Sequence, residues 1–424
     1  MLEILRWGVT PESEIFSRSQ AVSDVSGAVS EIIENVKNRG DEALYEYVEK
    51  FDGAKLTALE VTPDELDAAM SAVEPEFIEI LKKAAENIRA FHSRQVREGF
   101  KMETSAGAVM GQKITPLQRA GLYVPGGTAA YPSTVLMNCI PAKLAGVEEV
   151  VLVSPPTGGD INPVILAAAK IAGADRVFRM GGAQAVAALA YGTESVPAVD
   201  KIVGPGNAFV AEAKRQVFGK VAIDMIAGPS EILIIADASA DADAVAADML
   251  SQAEHDKNAT AVLITDSDAL AGEVSTALER RTALLHRREI AEESIRRNGK
   301  IILTENIEDA VELSNRLAPE HLELVLDEPF KYLDLVKNAG SVFLGKYCPE
   351  ALGDYMAGPN HTLPTGGTAR FSSPLGVDDF IKKVQFSYFT PAALEAIGED
   401  VVYFARKEGL DAHGESVSVR LAKK

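Results

Sequence analysis

From about residue 120 the sequence alternates short β-branched runs with alanine-rich segments, and most runs end in glycine or a polar turn. Parallel strands joined by helices produce this alternation. The runs predicted as strands are 149–153, 176–180, 201–203, 231–235, 261–264 and 300–303. The pattern therefore predicts an α/β fold built on parallel sheets.

The flanking regions have a different texture. Charged amphipathic stretches at 25–50 and 63–98 carry apolar residues at helical spacing, which predicts a helical N-terminal segment. The predicted architecture is two incomplete Rossmann-like domains with parallel sheets, that helical segment and a small helical C-terminal tail. The predicted domains are a helical arm at 1–20, a discontinuous α/β domain at 21–122 plus 230–375 that carries the metal and catalytic motifs, an inserted α/β domain at 123–229, and the tail at 376–424.

Composition and charge exclude several classes of protein. The formal net charge of −20 argues against a nucleic-acid partner, because phosphate backbones are bound by Lys and Arg. No secretory signal and no uncharged apolar stretch of about 18 residues is present, so the chain is expected in the cytoplasm. Cys139 and Cys348 lie far apart without Cys-x-x-Cys spacing, which predicts neither a disulfide framework nor a thiolate zinc cluster.

Three glycine-rich turns indicate a nucleotide site. The dinucleotide fingerprint Gly-x-Gly-x-x-Gly is absent, and its nearest approach, 204–209, has Phe209 in the place of the third glycine. The turns at 123–127 and 181–184 also follow probable strands. Each glycine pair alone could be only a tight turn. Together they place a possible nucleotide site where open α/β sheets have their ligand crevice.

The six histidines of the chain are scarce, and four of them lie beside acids or amides. Gln252 and His255 end a helical pattern at i, i+3 spacing, so both can reach one metal ion. The alternative is a solvated helix end. Asp354 and His413, both in polar turn surroundings, are the further candidate ligands. Sequence spacing leaves open whether these residues converge.

Glu320 and His321 follow Pro319 and form a possible pair of bases. Adjacent side chains on an extended or turning segment point in different directions, so the two could serve two positions of one substrate. A histidine that titrates near neutrality suits removal of an alcohol proton, and a nearby carboxylate can activate water. The alternative is a core histidine beside a surface glutamate.

Seven ordered motifs resemble the histidinol dehydrogenase family over nearly the whole chain. They are Gly121-Leu122-Tyr123-Val124-Pro125-Gly126-Gly127, Met180-Gly181-Gly182-Ala183-Gln184-Ala185, Val203-Gly204-Pro205-Gly206-Asn207, Ala227-Gly228-Pro229-Ser230-Glu231, Ser251-Gln252-Ala253-Glu254-His255-Asp256, Ala318-Pro319-Glu320-His321-Leu322 and Gly358-Pro359-Asn360-His361. The resemblance implies NAD-dependent oxidation of L-histidinol to L-histidine through an enzyme-held aldehyde, in the last steps of histidine biosynthesis.

The resemblance also implies roles for individual residues. Glu320 and His321 would be the catalytic bases, and one zinc ion per subunit would be bound by Gln252, His255, Asp354 and His413. NAD would contact Tyr123, Gln184 and Asn207 of the inserted domain. The substrate would contact Ser230, Gln252, His255, His321, Asp354, His361, Glu408 and His413. Family members are homodimers, so Glu408 and His413 of the tail would complete the site of the neighbouring subunit.

Three alternatives remain at the level of sequence. The chain could be a relative of this family that oxidises another small diol, such as a sulfonated propanediol. The Glu408 carboxylate disfavours such an anionic substrate. Aldehyde oxidation could pass through a thiohemiacetal on Cys348, which lacks an evident activating base. The chain could also be a zinc- or nucleotide-binding protein without turnover, against which the Glu320-His321 pair argues.

Overall fold

A computed structural model describes residues 2–17, 24–126 and 130–422. The chain divides into two compact units. The first comprises Met1–Gln95 with Leu117–Phe380, and the second comprises Val96–Pro116 with Ile381–Lys424. Among the described residues, no helix is both long and apolar enough to cross a membrane.

The helices and strands are numbered here in chain order. Within the described ranges the strands are β1 (Ile4–Arg6), β2 (Phe100–Glu103), β3 (Val109–Pro116), β4 (Arg119–Tyr123), β5 (Glu149–Ser154), β6 (Arg176–Arg179), β7 (Lys201–Val203), β8 (Ala222–Ile223), β9 (Glu231–Ala236), β10 (Thr260–Thr265), β11 (Lys300–Leu303), β12 (His321–Val325), β13 (Ser341–Leu344) and β14 (Ile381–Tyr388). The α-helices there are α1 (Glu12–Ile15), α2 (Ser26–Arg39), α3 (Asp41–Tyr47), α4 (Pro63–Ala72), α5 (Pro75–His92), α6 (Pro132–Ala145), α7 (Pro163–Ala172), α8 (Gly182–Tyr191), α9 (Ala208–Val217), α10 (Ala242–Ala253), α11 (Asp268–Thr282), α12 (Arg288–Asn298), α13 (Ile307–Leu317), α14 (Phe330–Leu333), α15 (Glu350–Tyr355), α16 (Pro391–Lys407) and α17 (Asp411–Leu421).

The first unit contains a parallel sheet of the order β1-β11-β10-β9-β12-β13, called here the six-stranded sheet. When the edge strand β1 is left aside, β9 comes first along the chain and lies in the middle of the sheet. The next two strands, β10 and β11, lie on one side of β9, and the last two, β12 and β13, lie on the other. This is the order of a Rossmann half-sheet with two further strands. The register pairs His321 with Ile232 and with Ser341, so His321 stands at the amino edge of the sheet.

A second parallel sheet in the same unit has the order β6-β5-β4-β7-β8 and is called the five-stranded sheet. Its strand order repeats that of the six-stranded sheet without β1. Because both faces are covered by helices, the interiors of its strands are apolar, and the residues from Val150 to Val153 are fully buried. The two parallel sheets confirm the α/β fold class.

Helices cover both faces of each sheet. On the six-stranded sheet α10, α11 and α12 pack on one face and α13 on the other. On the five-stranded sheet α2, α3, α8 and α9 pack on one face and α5, α6 and α7 on the other. The prediction grouped 21–122 with 230–375, whereas these apolar contacts join the helices of 24–95, and β4 itself, to the five-stranded sheet.

The six strands predicted from β-branched runs all form, with bounds that differ by at most one residue. The N-terminal arm, predicted as helical, instead begins with β1, which pairs in parallel with β11, and α1 is a single turn. A run of three residues is too short to show either period, so the pattern could not distinguish strand from helix. Residues 18–20 of the predicted arm lie outside the described ranges.

The second unit joins the tail to an earlier segment of the chain. Its antiparallel sheet has the order β14-β3-β2, and β14 pairs with β3 along eight residues. The helices α16 and α17 pack on each other. The tail predicted as helical from 376 therefore contains a strand before its two helices.

Candidate active site

The Glu320-His321 pair lies at the amino edge of the six-stranded sheet, between β12 and its neighbour β9. His321 is the first residue of β12 and Glu231 is the first of β9. Because the strands are parallel and His321 pairs with Ile232, Glu320 and Glu231 lie side by side at this edge. All three side chains are buried.

The hydrogen bond of His321 determines its tautomer. Nδ1 lies 2.8 Å from the backbone carbonyl oxygen of Glu231, which can only accept. Nδ1 therefore carries the hydrogen, and Nε2 presents a lone pair. Burial lowers the pKa of His321 to about 4, although the charge of Asp354 opposes the shift. The ring is neutral near pH 7 and Nε2 can accept a proton.

Glu320 is held beside this imidazole. Its Oε2 accepts a hydrogen bond from the backbone N–H of Glu231 at 2.9 Å and lies 3.7 Å from Nδ1 of His321. Burial raises the pKa of Glu320 well above its ordinary value, and the nearby charge of Glu231 adds to the shift. A carboxyl group with a raised pKa can take a proton from water and return it near neutral pH.

The helix α15 brings two more carboxylates to the same place. Glu350 and Asp354 lie one helical turn apart, and Glu350 Oε1 is 3.6 Å from Nε2 of His321. Ligand atoms of His321, Glu350 and Asp354 all lie within 4.8 Å of one another. Burial, followed by the charge of Asp354, raises the pKa of Glu350 to about 8. Two carboxylates and an imidazole at this spacing are a donor set that fits a divalent cation.

Asp354 is tied to His361. Its Oδ1 lies 3.3 Å from Nδ1 of His361, whose Nε2 lies 3.3 Å from the hydroxyl of Thr134 on α6. Burial alone would raise the pKa of Asp354, but the hydrogen bond and charge of His361, together with His321, lower it to about 2. Asp354 is therefore ionised at neutral pH. His361 contacts α15 through Asp354 and α6 through Thr134.

The C-terminal end of α10 reaches the same cluster. Gln252 is buried and its side chain hydrogen-bonds to Glu350. His255 follows the helix end, where its N–H donates to the Gln252 carbonyl at 3.1 Å, and it interacts electrostatically with His321. The structure thus brings together Gln252, His255 and Asp354, three of the four residues predicted as metal ligands.

The remaining predicted substrate residues lie in different places. Ser230 directly precedes β9, and its carbonyl accepts from the Thr260 N–H at 3.0 Å, which places it at the same amino edge. Glu408 directly follows α16, and His413 lies on α17. Both belong to the second unit and both are exposed.

The predicted cofactor residues follow strands of the five-stranded sheet. The hydroxyl of Tyr123, at the end of β4, accepts from the Gly182 N–H at 3.0 Å, and burial raises the pKa of Tyr123 to about 12. Gln184 is buried in the first turn of α8. Asn207 caps α9 by accepting from the N–H groups of Phe209 and Val210. All three lie at or just after the carboxyl ends of strands on either side of the point where the strand order reverses. Gly127 of the first motif lies outside the described residues.

Comparison with known proteins decides the family. The sequence model of the histidinol dehydrogenase family matches residues 16–421. A protein named histidinol dehydrogenase from Geobacter sulfurreducens is 54% identical over 401 residues, 94% of each chain. One of the same name from Syntrophotalea carbinolica is 55% identical over 399 residues, 94% of this chain and 93% of the relative. The chain belongs to the histidinol dehydrogenase family.

A solved structure agrees with this assignment. The crystal structure of histidinol dehydrogenase from Elizabethkingia anophelis matches with a TM-score of 0.95 at 39% identity, and covers 99% of this chain and 98% of that one. As a member of the histidinol dehydrogenase family, the chain is an oxidoreductase of histidine biosynthesis that acts on a small molecule.

Three carboxylates of this histidinol dehydrogenase family member were not predicted from sequence: Glu350, Glu323 and Asp248. Oε1 of Glu323 accepts from the Glu350 N–H at 2.7 Å, and Asp248 hydrogen-bonds to Glu323. The spacing of each could have indicated that it shares a face with a predicted site residue. Glu350 is four residues before Asp354, Asp248 is four before Gln252, and Glu323 is two after His321. They connect α10, β12 and α15 behind the site.

The two cysteines differ in accessibility. Cys139 is fully buried on α6, its thiol donates to the Ala172 carbonyl, and burial raises its pKa to about 12. Such a thiol is unreactive. Cys348 is half-buried in the turn before α15, close in sequence to the site residue Glu350.

Proposed function

We propose that the chain oxidises L-histidinol to L-histidine in the cytoplasm by two successive NAD-dependent steps, through an aldehyde held in the site. The observation that carries the proposal is the neutral His321, whose Nε2 faces Glu350 and Asp354 while Glu320 lies beside its other nitrogen. The two oxidations require one base that removes the proton of the alcohol and later of the hydrate, and a second base that activates water.

In the first oxidation Nε2 of His321 takes the proton of the substrate hydroxyl as hydride leaves the same carbon. The Nδ1 hydrogen bond to the Glu231 carbonyl keeps the lone pair on Nε2 and fixes the ring. NAD, when bound, accepts the hydride. The alcohol thereby becomes an aldehyde, and His321 must release its proton before the second step.

In the second oxidation Glu320 takes a proton from water as the water oxygen adds to the aldehyde carbon. Glu320 then returns the proton to the former carbonyl oxygen, which gives the hydrate. Nε2 of His321 then takes a hydroxyl proton of the hydrate as the second hydride leaves. In sum, one alcohol, one water and two NAD give one carboxylic acid, two NADH and two protons. The burial that raises the pKa of Glu320 makes its carboxylate basic enough to act on water.

The residues present fit a zinc ion. We assign its ligands to Gln252, His255 and Asp354 of one subunit and to His413 of another, with two neutral imidazoles, an amide and a carboxylate leaving a formal charge of +1. A zinc ion held by these residues would supply a positive centre that orients the substrate. Asp354, which is ionised at neutral pH, favours a cationic amine over an anionic group. This favours histidinol, an amino alcohol, over a sulfonated diol.

The proposed NAD site is at the carboxyl edge of the five-stranded sheet. Tyr123, Gln184 and Asn207 follow three strands around the point where the strand order reverses, which is where sheets of this topology bind nucleotides. Gly204 has φ of +112°, and a side chain there would collide with the carbonyl oxygen of Tyr123, so the loop after β7 lies directly against β4.

We further propose a homodimer in which Glu408 and His413 complete the site of the second copy. Both side chains are exposed in the single chain. The unit that carries them also exposes large apolar side chains, which supports a protein contact surface on this unit. They include Phe100, Met102, Val384, Phe386, Tyr388, Tyr403 and Phe404. Full turnover by a preparation shown to be monomeric would contradict this proposal.

The test of the function is the number of NADH molecules formed per L-histidinol at completion, with zinc-loaded protein and excess NAD. Two per substrate are expected. One would mean that the reaction stops at the aldehyde and that the role of Glu320 is wrong, and none would reject histidinol as substrate. Cys348→Ala serves as the control for thiol chemistry, because it should keep both oxidations.

A further inference from the structure

The loop that follows β7 is held by a buried ion pair. Lys214, on α9, and Asp224, directly after β8, form a salt bridge whose side chains are 2% and 1% exposed. Asp224 also accepts from its neighbour, the Met225 N–H, at 2.6 Å. None of the roles assigned above uses either residue.

Both partners of this pair bind the backbone of Gly204. Nζ of Lys214 donates to the Gly204 carbonyl at 3.0 Å, and Oδ2 of Asp224 accepts from the Gly204 N–H at 2.7 Å. The peptide groups on the two sides of this glycine are thus fixed by two different elements. A charged group on each side makes these hydrogen bonds stronger than ordinary backbone contacts.

Gly204 connects two of the proposed cofactor residues. On one side it presses against the backbone of Tyr123, where no Cβ could be accommodated. On the other side, Pro205 and Gly206 lead to Asn207, whose side chain caps α9. Lys214 lies two turns further along this same helix. The ion pair therefore fixes the distance between the end of β4 and the start of α9.

Stability alone is a weak explanation for such a pair. Removing two charges from water has a large desolvation cost, and apolar residues of similar volume often give an equally stable or more stable protein. Here, in addition, the loop has an unusual backbone conformation at Gly204, where φ is +112°. A directional contact to both the N–H and the C=O of that residue specifies its position in a way that apolar packing does not.

We propose that Lys214 and Asp224 are positioning residues for the dinucleotide, which set the geometry of the 204–207 loop against Tyr123. The proposal rests on the assignment of NAD to this edge of the sheet. The residues touch neither substrate nor the catalytic pair, so their effect should appear in cofactor binding and not in the chemistry at Glu320 and His321.

The test uses three variants of the full-length, zinc-loaded protein. Lys214→Met removes the donor to Gly204 but leaves Asp224 as a buried charge without its cation. The double variant K214M/D224N is neutral, and its amide oxygen can still accept from the Gly204 N–H. Arg215→Met is the matched control, because Arg215 is the next residue of α9 and its ion pair with Glu212 lies on the surface.

Four quantities are measured for each variant: the dissociation constant of NADH by titration calorimetry, KM and kcat with varied NAD, and the midpoint of thermal unfolding. For Lys214→Met and for the double variant we expect NADH to bind about 10-fold more weakly and KM for NAD to rise in parallel. The KM for L-histidinol and the zinc content should stay as in the wild type. Arg215→Met should match the wild type throughout.

The double variant separates positioning from stability. Pairing neutral residues should restore the unfolding midpoint that Lys214→Met lowers, while NADH binding stays weak. Wild-type NADH affinity in the double variant would overturn the proposal, whether or not its stability recovers. If Lys214→Met does not fold, the double variant alone decides. A wild type that binds NADH but does not oxidise L-histidinol would reject the proposed function and leave this test intact.

Discussion

In the five-stranded sheet the proposed cofactor residues lie at or just after the carboxyl ends of β4, β6 and β7. In the six-stranded sheet, by contrast, Glu320 directly precedes β12 and His321 is its first residue. Apart from β1 the two sheets have the same strand order. The proposed sites nevertheless lie at opposite edges of the two sheets. The carboxyl edge of the five-stranded sheet is rich in glycine turns, and the amino edge of the six-stranded sheet carries buried carboxylates and a histidine. The same topology therefore supports two different kinds of site.

The carboxyl edge of the six-stranded sheet explains part of this difference. Asp237, Asp266 and Asp327 closely follow β9, β10 and β12, where a nucleotide-binding sheet would have its glycine turns. Burial, with the charges of Asp237 and Glu308, raises the pKa of Asp266, so Asp266 lies close enough to these two acids to be repelled by them. Such an edge disfavours a pyrophosphate. The charge at an edge, and not the topology, decides which ligand it can bind.

The largest expected effect is at the amino edge. His321→Asn should lower kcat for both oxidations by about 10²- to 10⁴-fold, because the base for both steps is lost. The asparagine amide can still donate to the Glu231 carbonyl, so the fold should persist. The measurement is NADH formation from L-histidinol and, separately, from L-histidinaldehyde.

Glu320→Gln provides the matched comparison at the same edge. It should impair oxidation of L-histidinaldehyde more than that of L-histidinol, since only the second step uses water. Equal losses in the two assays would contradict the division of roles between Glu320 and His321.

The next effect concerns the support of the metal ligands. Glu323→Leu removes the acceptor of the Glu350 N–H, which anchors the start of α15. We expect zinc to bind about 10- to 100-fold more weakly, measured by competition with a chelator, because Asp354 on α15 loses its fixed position. Glu323→Gln keeps an acceptor oxygen and should retain most of the affinity. Equal affinities in the two variants would show that this hydrogen bond does not position the ligands.

At the carboxyl edge of the five-stranded sheet, Gly204→Ala should weaken NADH binding by about 10-fold, because the new Cβ would push the loop away from Tyr123. Gly173→Ala is the control. Gly173 has φ of +86° with open space around it, so the substitution brings only the left-handed strain of about 1–2 kcal/mol. If Gly204→Ala and Gly173→Ala weaken NADH binding equally, the left-handed strain of an alanine, and not the contact with Tyr123, accounts for the weaker binding.

The smallest effect tests Asp52, a half-buried carboxylate that interacts with Tyr123. Burial raises the pKa of Asp52 from 3.8 to about 6, and its charge acts on Tyr123. Since the folded state holds this proton more tightly, ionisation of Asp52 lowers stability as the pH rises through about 6. Asp52→Asn should therefore unfold at a slightly higher temperature than the wild type above that pH, and at the same temperature near pH 4. A difference that does not change with pH would reject this explanation.

Much of the fold was predictable because the β-branched runs are long enough to show their character. β12 was not predicted as a strand, since its sequence carries His321 and Glu323 among apolar residues and reads as part of a polar motif. The helices of 24–95 were predicted as helices, but their partner sheet was not. Amphipathic spacing shows that a helix has an apolar face and does not say which sheet that face covers.

The site was predictable where the residues form local motifs. Gln252, His255 and the Glu320-His321 pair stand out by type and spacing. Glu350 did not, because a glutamate near a turn is ordinary in a chain with 62 acidic residues, and only the fold shows that it is buried against His321. The use of the amino edge was also beyond the sequence, since it depends on the register of β12 against β9.

The most direct test of the division between the two sheets is hydrogen exchange of the backbone amides, with NADH alone and with zinc plus L-histidinol. NADH is expected to slow exchange in 181–184 and 204–209, and zinc with L-histidinol to slow it in 252–255, 319–323 and 350–355. Protection of the carboxyl edge of the six-stranded sheet, at 237–240 and 266–269, by NADH would contradict the account.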